Sequence, residues 1–210
     1  MRAIAVQSLA KELKMKRSRR IAYVATFIAL IFVALMLDTL VGSFLPVKPA
    51  IFSLPTVFTF VLMFGTWQYA LLGGTVFGLL SFARAFITGS IPFQNPLVSI
   101  VPRMIVGLVA FGAYALGALI FKRTSNKEIF ALGTSAFIGV LTNTITVLFA
   151  MYFTDFTTLS GVFSAIVSFN FPIELVATTL LTPFLVMGVR RGLGIKKIGK
   201  NQSNVTTEIK

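Results

Sequence analysis

The chain has 210 residues, of which 56% are hydrophobic and only 12% are charged, with a mean hydropathy of +0.90 and a net charge of +13. A soluble domain usually carries about a quarter charged residues, so this composition excludes a soluble enzyme, a disordered chain and a nucleic-acid-binding domain. Cysteine and histidine are absent, which excludes thiolate nucleophiles, disulfides, imidazole bases and His/Cys metal sites. The composition therefore predicts an integral membrane protein.

Six apolar segments are long enough to cross a hydrocarbon core as helices, which takes about 20 residues. A basic tail (1–20) precedes them and a second basic tail (190–210) follows them. The predicted spans are 21–41, 53–70, 71–87, 97–121, 129–153 and 165–189. The sequence thus predicts an all-α integral membrane protein, a six-helix bundle that occupies 21–189.

Positive charge sets the predicted orientation of this bundle. Of the 19 Lys and Arg residues, seven lie in 1–20, three in 122–127 and six in 190–210. Such clusters flank membrane spans on the cytoplasmic side, and six spans place all three clusters on the same side. We therefore predict cytoplasmic N- and C-termini in a bacterial plasma membrane. The outer loops are then 42–52, 88–96 and 154–164.

Polar side chains collect in the outer half of the predicted membrane domain. Four of them are charged, and a charge inside a bilayer costs at least about 2.5 kcal/mol on insertion scales. The inner halves of the spans are apolar, which argues against a channel. The set therefore predicts an outward-facing site for a small solute. Its members are Asp38, Arg84, Arg103 and Glu174, with Gln94, Asn95 and Asn170 at the same level and Asn143 slightly deeper.

A structural explanation of the same charges stays open. Arg103 and Glu174 would then form an ion pair with each other, which makes both tolerable in lipid. Asp38 and Arg84 would extend to the outer interface. For any single charge the two explanations are equally good, whereas the set as a whole favours a binding site.

Small residues mark one face of the first span, where Ala22, Ala25 and Ala29 follow helical spacing. Such a face lets a second membrane helix approach closely. It is either a docking surface for a partner or a packing surface within the bundle, and both interpretations stay open. Glycines of the fourth and fifth spans are interpreted as bundle packing: Gly107, Gly112, Gly117, Gly133 and Gly139.

The chain resembles the S components of energy-coupling-factor (ECF) vitamin transporters. The match rests on the six-span pattern, on Ala25-x-x-x-Ala29 and on the proline-bearing first outer loop leading into Phe52-Ser53-Leu54-Pro55. Two further segments are similar to those of the riboflavin, pantothenate and hydroxymethylpyrimidine members. They are Asn95-Pro96-Leu97-Val98-Ser99-Ile100-Val101-Pro102-Arg103 and Asn170-Phe171-Pro172-Ile173-Glu174-Leu175.

This resemblance implies a mechanism that depends on partners. An S component binds a vitamin in its outer half and associates through its alanine motif with a transmembrane T component and two ATP-hydrolysing subunits. It then topples in the membrane and releases the vitamin inside. The chain has no Walker-type phosphate loop, so the energy would come from those partners. No cofactor, metal or nucleic-acid partner is expected.

Pantothenate is the solute that the predicted site fits best. Two arginines favour a ligand with a carboxylate, and the amides and Glu174 suit hydroxyl and amide groups. A flavin would need an aromatic face, and the only tryptophan, Trp67, lies at the inner end of its span. Riboflavin and hydroxymethylpyrimidine remain the alternatives.

Two functions of other classes also stay open. An intramembrane enzyme could use Asp38 and Glu174 as acid and base, although the sequence supplies no recognisable nucleophile or metal site for it. A scaffold subunit is the other. Turnover by the isolated chain would indicate the enzyme, and co-purification with an ATPase pair would indicate the transporter.

Overall fold

The structure is a computed structural model that describes residues 17–44, 50–158, 161 and 170–192, with side chains omitted for 17–20 and 170. Every regular element in these ranges is helical, in agreement with the predicted all-α class. Short 3₁₀ turns lie at Ile91–Gln94 and Phe121–Arg123. The helices are α1 (Arg17–Phe44), α2 (Ser53–Phe64), α3 (Trp67–Thr88), α4 (Pro96–Ser99), α5 (Val101–Ile120), α6 (Lys127–Phe153) and α7 (Asn170–Gly192).

Within the described ranges, five segments are long and apolar enough to cross a membrane, and α4 and α5 together form one of them. α2 has 12 residues and is therefore about 18 Å long, shorter than a hydrocarbon core. The count of six crossings and the cytoplasmic termini therefore remain predictions. Most of both predicted tails, and the stretch 162–169 before the last helix, lie outside the described residues.

The boundary between the second and third helices differs from the predicted one at 70/71. α2 ends at Phe64 because Gly65 adopts a left-handed conformation, φ 58°, and its N–H closes the last turn on the Val61 carbonyl. Glycine populates this region without steric cost, so it commonly ends helices. α3 begins two residues later at Trp67, which makes the predicted second span 53–70 too long.

α2 forms the centre of the bundle. Eleven of its 12 residues are buried, and the core around it draws side chains from α1, α3, α5, α6 and α7. Phe58 packs in this core against α6, where Gly139 leaves room for its ring. A short helix surrounded on all sides has both of its ends inside the protein, so its terminal backbone groups need partners there.

Charged side chains from the first and last helices occupy the two ends of α2. The Asp38 carboxylate accepts from the N–H groups of Phe52 (2.8 Å) and Ser53 (2.9 Å). At the other end Arg190 donates to the Leu62 carbonyl (2.8 Å) and to Glu128 (2.7 Å). The carboxylate lies at the positive end of the helix dipole and the guanidinium at the negative end, which stabilises both. Arg190, predicted as the first residue of the C-terminal tail, is thus buried in the bundle.

The predicted fourth span, 97–121, is interrupted near its start. α4 ends at Ser99 and α5 begins at Val101, with proline in the first turn of each. Pro102 has no N–H to donate to the Val98 carbonyl four residues earlier, so the helical pattern breaks and that carbonyl is left without its helical donor. The guanidinium of the next residue, Arg103, donates to the Val98 carbonyl instead (2.6 Å).

α3 and α5 approach closely at glycines. A Cβ on Gly74 would stand 2.3 Å from the Arg103 carbonyl oxygen, and one on Gly107 would stand 2.2 Å from that of Ala70. The packing interpretation is therefore confirmed for Gly107, and Gly117 and Gly139 also meet neighbouring helices. It is wrong for Gly112 and Gly133, because a Cβ there would have no described atom within 4 Å.

Candidate functional site

A cavity of about 310 Å³ lies at the end of the bundle that the charge pattern predicts to be the outer one. This volume is at the lower end of the range of small-molecule sites, about 300–1,000 Å³. It is bounded by α1, α2, α3, α5, α6, α7 and the connection between α3 and α4. Its polar lining comprises Ser53, Ser81, Arg84, Thr88, Ser90, Arg103, Asn143, Thr144 and Glu174.

Arg103 is held in the cavity wall by the backbone and by aromatic rings. Its guanidinium donates to the Val98 carbonyl and lies over the rings of Phe93 (5.2 Å) and Phe77 (5.7 Å). Only 7% of the residue is exposed, and its buried Nε has no hydrogen-bond partner among the described residues. A desolvated guanidinium with unused donors is suited to bind an anion.

Arg84 is the second guanidinium at the cavity. It is half-buried, and its one described hydrogen bond, to the Leu35 carbonyl, is long at 3.4 Å. Neither cavity arginine forms an ion pair, because the one ion pair among residues whose side chains are described joins Arg190 to Glu128 at the opposite end of α2. The predicted alternative, a direct pair between Arg103 and Glu174, is therefore wrong.

The two carboxylates contact backbone amides. Glu174 lines the cavity and is 8% exposed, and its Oε1 accepts from the N–H of Ala50 (2.7 Å). Asp38 is buried behind the wall with both oxygens on α2, and it does not line the cavity. The structure therefore brings Arg84, Arg103 and Glu174 together at the cavity and places Asp38 beside it.

The amides predicted for the site separate into two groups. Asn143 lines the cavity from α6, and its buried Oδ1 has no partner in the part of the chain that the structure describes. Asn95 instead caps α4, accepting from the Leu97 N–H (2.9 Å), and Gln94 donates to the Ala85 carbonyl (3.3 Å). Neither lines the cavity. Asn170 is the first residue of α7, and its side chain lies outside the described part of the chain.

Several lining residues were missed by sequence reasoning. Phe77, Ser81 and Thr88 are three of them, and with the predicted Arg84 they follow spacings of four, three and four residues along one face of α3. That spacing was the available signal, and reading the third span for polar periodicity would have found Ser81 and Thr88. Aromatic side chains were missed as well: Phe77, Phe93 and Phe171 line the cavity, so it offers the aromatic faces that the tryptophan does not supply.

Polar character also continues inward of the cavity. On α7, Thr178 and Thr182 lie one and two turns beyond Glu174, fully buried, and their hydroxyls have no described partner. Buried hydroxyl groups therefore extend from the cavity to the middle of α7. No group of three or more acidic side chains that could hold a metal ion occurs among the described residues.

The predicted docking residues Ala22, Ala25 and Ala29 are all exposed on the outside of the bundle. The alternative interpretation, packing within the bundle, is therefore wrong. Neighbouring Ile21 and Leu30 are exposed as well.

No family model matches the chain. The chain is 26% identical over 197 residues to the Pantothenic acid transporter PanT of Lactococcus lactis subsp. cremoris (strain MG1363). The alignment covers 83% of this chain and 95% of that protein. This similarity confirms the predicted resemblance to the pantothenate-specific proteins, and with the five long apolar helices it indicates a multi-pass membrane protein with a role in transport.

Proposed function

We propose that the chain is the substrate-binding subunit of an ECF-type importer, which captures pantothenate with high affinity at the outer face of the bacterial plasma membrane. The similarity to a pantothenic acid transporter supports the solute. The observation that carries the proposal is the Arg103 guanidinium, which is buried in a cavity wall, has an unused donor and pairs with none of the carboxylates that the structure describes.

The chemistry of pantothenate matches the cavity group by group. Its carboxylate would bind Arg103 or Arg84 by charge-assisted hydrogen bonds. Its amide and hydroxyl groups would meet Asn143 and Ser81. Its dimethyl carbon would pack against the phenylalanine rings of the wall.

Calorimetric titration of the purified chain in detergent tests this proposal, with pantothenate, riboflavin and hydroxymethylpyrimidine as ligands. We expect one-to-one binding of pantothenate without nucleotide, and at least about tenfold weaker binding in Arg103→Ala and in Arg84→Ala. Arg191→Ala is the control, since that arginine is exposed on α7. Normal binding in both cavity variants would refute the pose, and tight binding of another vitamin would refute the solute.

Uptake would require a T component and two ATPase subunits, with Ala22, Ala25 and Ala29 as the docking face on α1. The exposure of all three supports this assignment. Replacing Ala25 and Ala29 by leucine should abolish co-purification of the ATPase pair and leave pantothenate binding intact. Ala118→Leu, at an exposed alanine of α5, is the control. Unchanged co-purification of the α1 variant would exclude this face.

An intramembrane enzyme that uses Asp38 and Glu174 is less well supported. Both oxygens of Asp38 and one oxygen of Glu174 are already engaged by backbone N–H groups. A general acid or base needs its oxygen free to reach the substrate.

A further inference from the structure

Two buried carboxylates from distant parts of the chain converge on one short backbone segment. Glu174, on α7, accepts from the N–H of Ala50 at 2.7 Å. Asp38, on α1, accepts from the N–H groups of Phe52 and Ser53 at 2.8 and 2.9 Å. Three of the four successive residues 50–53 are therefore held by side chains that lie 14 to 124 positions away in the sequence.

This segment forms part of the cavity wall. Ala50 and Ser53 both line the cavity, and residues 50–53 join the first outer loop to α2. Ser53 is the first residue of α2, Phe52 immediately precedes it, and Ala50 lies three residues before it. The first internal bond of α2 runs from the Thr56 N–H to the Phe52 carbonyl, so the N–H groups of Phe52 and Ser53 have no acceptor inside the helix, and Asp38 supplies one for each.

We infer that Asp38 and Glu174 are positioning residues, which fix residues 50–53 as a wall of the pocket and do not themselves bind the ligand through their charge. Asp38 lies at the positive end of the α2 dipole, which stabilises its negative charge, and Glu174 accepts from the Ala50 N–H three residues before that helix. Because backbone N–H groups hold the two carboxylates, the guanidinium groups of Arg84 and Arg103 remain available to bind the ligand. The inference rests on the proposed function only for the identity of that ligand.

The carboxamide variant of Glu174 separates positioning from direct binding. Glu174→Gln keeps a carbonyl oxygen that can accept from the Ala50 N–H, whereas Glu174→Ala removes the acceptor. A positioning role predicts that glutamine rescues the function that alanine loses. A ligand contact that depends on the negative charge predicts that both variants lose it.

Amide hydrogen exchange without ligand is the first measurement. In peptides covering 50–53, Glu174→Ala should accelerate exchange about tenfold or more, and Glu174→Gln should change it by less than about threefold. Asp38→Asn offers one acceptor where the carboxylate offered two, so it should expose one of the two amides that Asp38 holds. Asp155→Asn is the control, because it removes an exposed carboxylate.

Calorimetric titration with pantothenate is the second measurement. Glu174→Gln should bind within about threefold of the unmodified chain, and Glu174→Ala at least about tenfold more weakly. Weak binding by Glu174→Gln with unchanged exchange at 50–53 would overturn the inference. If Glu174→Ala does not fold, the glutamine variant and Asp38→Asn still decide between the two roles. If the unmodified chain does not bind pantothenate, the proposed solute fails, while the exchange experiment still tests the positioning role.

Discussion

The side chain that sets the chemistry of the cavity, Arg103, owes its position to its neighbour. Pro102 has no N–H to donate to the Val98 carbonyl, so the guanidinium of Arg103 donates to it, at 2.6 Å. By interrupting the helix, Pro102 leaves a carbonyl free to hold the buried Arg103 guanidinium in place. The string Val98 to Arg103 was recognised as a motif in the sequence, but its physical meaning follows from this one hydrogen bond.

Pro102→Ala should therefore weaken pantothenate binding about fivefold without lowering stability, because the new N–H competes with Arg103 for the Val98 carbonyl. Calorimetry and a thermal melt of the same preparation measure the two effects. Pro96→Ala is the matched control, since it leaves that carbonyl to Arg103. Unchanged binding in Pro102→Ala would show that Arg103 is positioned without this contact.

Asn143 is a residue at which stability and binding should change in opposite directions. Its buried Oδ1 accepts a hydrogen bond from none of the described residues, and an unsatisfied buried polar atom costs about 1–3 kcal/mol of stability. Asn143→Leu should therefore raise the melting temperature of the ligand-free chain and weaken pantothenate binding about tenfold. Asn126→Leu, at an exposed position, is the control. A lower melting temperature with unchanged affinity would indicate that Asn143 is structural.

Among the helices, the contact between α3 and α5 decides where Arg103 lies. Gly74 touches the backbone of Arg103 itself, so any side chain there must push the two helices apart. Gly74→Ala should lower the free energy of unfolding by about 1–3 kcal/mol and weaken ligand binding. Gly112→Ala, in open space, should leave both unchanged or stabilise the helix slightly. Equal effects of the two variants on stability and binding would contradict the close approach of α3 and α5.

The buried helix α2 depends on its two charged caps. Arg190→Ala removes the donor to the Leu62 carbonyl and leaves Glu128 without its partner, which should cost about 3–5 kcal/mol of unfolding free energy. Arg191→Ala removes the same charge from an exposed position and should cost almost nothing. Denaturant titration in detergent measures the free energy of unfolding of both variants. Equal losses would show that the effect comes from net charge and not from the contacts of Arg190.

Helix boundaries could be predicted from the sequence wherever they coincide with the ends of an apolar run. The spans corresponding to α1, α3 and α6 agree with the structure within a few residues, because long apolar runs in a bilayer have no alternative to helix. α2 was predicted six residues too long at its C-terminal end, since hydropathy continues through Gly65 although the backbone turns there. The break at Ile100 depends on Pro102, which hydropathy also does not register.

For the whole molecule, the orientation in the membrane follows from charge and is directly testable. The chain has no cysteine, so a single introduced cysteine reports one location. Ile91→Cys, in the predicted outer connection, should react with a membrane-impermeant maleimide in intact cells. Ser125→Cys, in the predicted inner connection, should react only after permeabilisation. The opposite labelling pattern would show that the topology is inverted and that the cavity faces the cytoplasm.

The sequence by itself determined the membrane class, the helical fold, the predicted orientation and the set of polar residues from which the site is built. These depend on composition and local periodicity, which the bilayer selects directly. Only the tertiary structure decided which of those residues face the cavity. Asp38 and Glu174 accept from backbone N–H groups 14 and 124 residues away, while Arg84 and Arg103 form no ion pair with a described carboxylate. Hydrogen bonding between such distant groups depends on how the helices pack, and that packing places the arginines and Asn143 around the cavity and Asp38 behind its wall.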